Sequence, residues 1–67
     1  MTKGMITFGK TEVPCVINTL SKLGACLFVE TTLGIPDVIE FVAADQVPKT
    51  CKVMWRDDTS LGVHFRK

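Results

Sequence analysis

The chain has 67 residues, 46% of them apolar and 22% charged, and its eight Lys and Arg against seven Asp and Glu leave a formal charge of +1. That length suits one domain, residues 1–67, and not two, and the composition is that of a globular chain rather than a disordered one. The near-neutral charge lacks the basic footprint of a general nucleic-acid binder, no apolar run is long enough to span a bilayer, and no secretory signal opens the chain, so a soluble cytoplasmic protein is expected.

Turn signals recur at intervals of roughly eight to twelve residues, which suits a series of short strands. The first strand is expected over Met5 to Phe8, with Ile6 and Phe8 on one face, and Gly9-Lys10 turns the chain. A second runs from Val13 to about Thr19, with Pro14 near its start, where a missing amide donor is tolerated. Ala25 to Glu30 alternates, with Ala25, Leu27 and Val29 on one side and Cys26, Phe28 and Glu30 on the other; neither side is strongly polar, so one can meet a partner. Thr32 to Asp37 turns into Val38 to Val42, where Ile39 and Phe41 share a face.

After a turn over Asp45 to Lys49, the clearest alternation follows. Cys51, Val53 and Trp55 oppose Lys52, Met54 and Arg56, and this face predicts a core position for Trp55. Asp57-Asp58-Thr59-Ser60 forms a polar turn, its carboxylates capping backbone amides, into Leu61 to Arg66, where Val63 and Phe65 oppose His64 and Arg66. Two helical readings compete with this series. Val16, Leu20, Leu23 and Leu27 recur at helical spacing, and Pro36 can open a helix reaching Gln46; Gly24 and the β-branched residues in both segments argue for strands. A domain this small hides only about 60% of its unfolded surface, so an all-β chain gains from curling into a small barrel that leaves no edges, or from forming a homo-oligomer.

Little here assembles a catalytic centre. His64 is the only histidine, and its strand pattern places it facing outward. Cys15, Cys26 and Cys51 are odd in number and widely spaced, which fits reduced strand residues rather than a disulfide framework or a zinc site. No cofactor is implied, and the expectation is a binding module rather than an enzyme. The polar segment Thr19 to Gly24 offers Ser21 as a hydrogen-bonding group, Lys22 as an anion attractor and Gly24 as a place for close backbone approach; an ordinary turn explains the same residues. Arg56 and Arg66, near opposite ends of the last hairpin, can hold a phosphate or stack on a base, and a solvated sheet face accounts for them equally.

The run from Cys15 to Val29, with Thr19, Ser21, Gly24 and Ala25 in it, resembles the central segment of PilZ domains, which carry Asp or Asn, any residue, Ser, two residues and Gly. Leu33 to Phe41 resembles that family's turn into its next strand, and Cys51 to Arg56 with Leu61 to Phe65 resembles its closing hairpin, so the likeness spans most of the chain. It implies a six-stranded antiparallel PilZ-like β-barrel and a bacterial signalling role as a receptor for cyclic di-GMP. In the family, an Arg-x-x-x-Arg motif grips the ligand phosphates and the Ser-Gly loop reads the bases. Here the arginine pair is missing and Thr19 stands where Asp or Asn is usual. Two readings stay open: a regulatory domain that binds cyclic di-GMP with reduced affinity through Thr19, Ser21, Lys22 and Gly24, helped by Arg56 and Arg66, or a degenerate protein-interaction module that has lost the nucleotide.

Overall fold

Six short segments, each with one apolar face, can bury those faces together only if the sheet wraps around them. The computed structural model, which describes residues 2–43 and 46–66, has this arrangement. The strands are β1 (Thr2–Phe8), β2 (Thr11–Leu20), β3 (Gly24–Phe28), β4 (Val38–Ala43), β5 (Lys49–Arg56) and β6 (Ser60–Phe65). They form a closed antiparallel barrel in the order β1-β2-β3-β6-β5-β4, with β4 returning to β1 through the pairs Gly4 with Ala43 and Ile6 with Phe41.

The barrel interior is filled by Ile6, Leu27, Ile39, Phe41, Cys51 and Leu61, all fully buried, with Cys15, Ile17, Val53 and Val63 completing the packing. Removing each large aliphatic or aromatic side chain from water contributes about 1.5–3 kcal/mol, so this cluster carries the fold. Phe65 stacks on Phe41 with ring centroids 6.3 Å apart, and the Lys49 ammonium covers the Phe65 ring at 4.6 Å. The connection from β3 to β4 closes one barrel end. Its residues Val29 and Thr32 donate backbone hydrogen bonds to Thr59 and Asp58 in the β5–β6 turn, and Ile35 is buried beneath it.

Both helical readings are overturned. Val16 and Leu27 lie on separate strands, and Leu20 and Leu23 of the same spacing are exposed, because the β-branched residues at 16, 17 and 19 favour an extended backbone. Pro36 precedes a strand, β4, whose Val38, Ile39 and Val42 have the same preference; Ala44 and Asp45, at the end of that helical reading and the start of the following turn, lie outside the described residues. Most of the strands extend beyond the alternating segments. Thr2 and Lys3 pair with Ile17 and Val16, since the long partner strand β2 gives even polar residues a neighbour to bond.

Trp55 and Arg56, at the end of β5, face otherwise than their alternation predicts, Arg56 pairing with the buried Leu61. The β5–β6 register shifts between Val53 and Trp55, so that Val53 opposes Val63 while Trp55 opposes Gly62. An irregularity of this kind reverses the facing of every residue beyond it. Trp55 is therefore half exposed, at 50%, rather than in the core beside Cys51 and Val53.

Candidate functional site

Trp55 marks a shallow groove on the outside of β3, β6 and β5, lined by Thr19, Ser21, Leu23, Cys26, Met54 and His64 as well as by the indole. Gly62 is what lets the indole lie there: a Cβ at this position would collide with the Trp55 ring atoms Nε1, Cε2 and Cδ1. Met54 and Leu23, 58% and 68% exposed, add apolar surface to the same groove, and His64 stands exposed in register with both Gly24 and Lys52.

At the rim, the turn between β2 and β3 is built by Ser21. Its amide donates to the Gly24 carbonyl at 2.9 Å, while its hydroxyl donates to the same carbonyl and accepts from the amides of Leu23 and Gly24 at 3.3 and 3.2 Å. A serine hydroxyl has one donor and two acceptor positions, so these contacts use all of them. Gly24 has its own requirement, because a Cβ there would strike the Val63 carbonyl across the β3–β6 pair. In this conformation Ser21 and Gly24 shape the turn and seat β3 on β6.

Of the residues singled out from the sequence, Thr19, Ser21 and Gly24 come together in this groove. Lys22 is exposed in the same turn, and Arg66 lies at the same barrel end, just past the Phe65 amide that donates to the Leu23 carbonyl. Arg56 is elsewhere. It pairs with Leu61 beside the Asp57–Ser60 turn, and its guanidinium donates to the Ile35 carbonyl at 2.6 Å, to Asp37 Oδ1 at 2.9 Å and, more loosely, to the Thr32 carbonyl at 3.4 Å. These bonds lash the β3–β4 connection to β5. Lys3 lines a different groove, on β1, β2 and β3, so Ser21, Arg56 and Lys3 share no concavity.

The apolar platform of Met54 and Trp55 escaped the alternation pattern. Its signal was Gly62, since a glycine inside a strand often marks a bulge or the close approach of another group. The chemistry available to the groove is stacking, apolar contact and a few hydrogen bonds. Cys15 and Cys51 are buried, their thiols pushed up to about 11 by desolvation, opposed by a backbone hydrogen bond at Gly4 and by the charge of Lys49 respectively. Among the described residues no three His, Cys, Asp or Glu side chains gather to hold a metal. No family model, curated protein or solved structure matches the chain.

Proposed function

We propose that this chain is a non-catalytic regulatory binding domain, a PilZ-like barrel that docks a protein partner through the Trp55 groove. The observation that carries this reading is the half-exposed indole seated on Gly62 in a groove it shares with Met54 and Leu23. Trp and Met are enriched where protein surfaces meet, and a rigid aromatic in a shallow pocket is the usual anchor of such a contact. The six-stranded closure and the Ser21–Gly24 turn leading into β3 support the family likeness. Free thiols fit a reducing compartment such as the cytoplasm.

The test compares partners retained by the wild-type protein with those retained by Trp55→Ser, followed by titration of the purified partner. Binding should shift the amides of Met54, Gly62 and His64 and weaken at least tenfold in the variant, about 1.4 kcal/mol. Equal binding by both proteins would remove the groove from the reading.

A second reading has its own support: the indole and the Ser21 turn share one groove, and an exposed aromatic face can stack on guanine. On this reading cyclic di-GMP binds weakly there, without the arginine pair. Trp55 is the sole tryptophan, so its fluorescence reports on that groove alone. Saturable quenching by cyclic di-GMP at low salt supports the nucleotide, whereas no quenching and no amide shifts up to about 1 mM, a binding free energy of about −4 kcal/mol, rules it out.

A further inference from the structure

A second surface, which has no lining residue in common with the Trp55 groove, lies on the outer face of β1, β2 and β3. Met5, Pro14, Val16 and Phe28 give it an apolar floor, and Lys3 and Glu30 are its charged members. The strand register fixes their layout. Lys3 pairs with Val16, and Val16 pairs with Phe28, so these three form one row across the strands; Met5 pairs with Pro14 in the next row, and Glu30, two residues past Phe28 and just beyond the end of β3, lines the groove together with that second pair. Lys3 and Glu30 thus occupy opposite corners of a small rectangle, and Met5 and Phe28 occupy the other two.

We propose that this face is the interface of a symmetric homodimer. A two-fold axis lying between two facing sheets has four simple orientations. Along the strands or across them, it sets Lys3 against Phe28 or Met5 of the other copy. Along the Lys3–Glu30 diagonal, it sets each charge against its own like. Only along the Met5–Phe28 diagonal does each Lys3 meet a Glu30, twice, while Phe28 packs on Phe28 and Met5 on Met5. This arrangement crosses the strands of the two copies near a right angle, one of the two preferred ways for sheets to pack face to face. The surface is therefore complementary to itself in charge and in apolar content, as an isologous contact requires.

The patch is smaller than the roughly 800 Å² per partner of a stable complex, so the dimer is weak and forms at high protein concentration. Sedimentation equilibrium from about 10 μM to about 1 mM, at low salt, should show a monomer–dimer equilibrium that salt shifts toward monomer. Lys3→Glu or Glu30→Lys alone converts two attractions into two repulsions and should weaken association roughly tenfold; the combined K3E/E30K protein restores the pairs with their signs exchanged and should return to within about threefold of wild type. Phe28→Ser, at an exposed position, should weaken association with the barrel intact by circular dichroism. A wild-type protein that stays monomeric at about 1 mM, a dimer indifferent to the single substitutions, or a double variant no better than the singles would each overturn the proposal.

Discussion

Among the three cysteines, position in the barrel separates inert thiols from an accessible one. Cys15 and Cys51 face the interior with thiols raised to about 11, so almost none is thiolate at neutral pH, whereas Cys26 is half-buried in the Trp55 groove. Brief alkylation of the native protein at neutral pH, read by mass spectrometry, should modify Cys26 first and reach Cys15 and Cys51 only on unfolding; equal rates would contradict the buried placement. Asp57 supplies a pH test. Its Oδ1 accepts from the Ser60 hydroxyl and from the amides of Ser60 and Thr59, and these bonds, the hydroxyl foremost, hold its carboxyl below the usual 3.8. A depressed folded pKa contributes stability above the unfolded value and loses it as pH falls through 3.8 and lower. Asp57→Asn should therefore melt at lower temperature than wild type at neutral pH, with the gap narrowing in acid. The sequence made this turn legible because Asp caps amides locally. It misplaced Trp55, because the facing of that side chain depends on a partner strand.

At the level of elements, the connection between β3 and β4 has no regular structure of its own and is held from outside. Arg56 donates to two of its carbonyls and to Asp37, which is itself 79% exposed. An exposed ion pair is worth about 0–1 kcal/mol, while charged hydrogen bonds to part-buried carbonyls are worth more. Arg56→Met should cost on the order of 1–2 kcal/mol and speed amide exchange at Ile35, whose amide donates to Thr32 within this connection. Asp37→Asn should cost at most about half as much, and an equal cost would put the weight on the ion pair instead. Six strands were legible from the alternation of apolar residues, since each segment's inner face had to be apolar. Their ends and the β5 bulge were not, because pairing across the ring sets both. The same limit explains Arg56, whose partners at residues 32, 35 and 37 are neighbours only once the barrel has closed.

For the molecule as a whole, the core is one cell deep and has little redundancy. Leu27, fully buried on β3, should cost about 2–5 kcal/mol when cut to Ala, a loss comparable to the whole stability expected of so small a domain. The Leu27→Ala protein should be largely unfolded at room temperature by circular dichroism; a cooperative melt near that of wild type would mean the barrel collapses around the gap.

Ring order also sets a sequence of events during synthesis. β6, the last of the six barrel strands in chain order, is inserted between β3 and β5, whereas β1, β2 and β4 already have their mutual partners in the earlier part of the chain. Until residues 60–65 emerge, β3 and β5 each present an unpaired row of amides and carbonyls, the kind of edge that recruits other chains. The nascent barrel is thus most prone to aggregate just before β6 arrives, and a product stopped short of Ser60 should collect in the insoluble fraction.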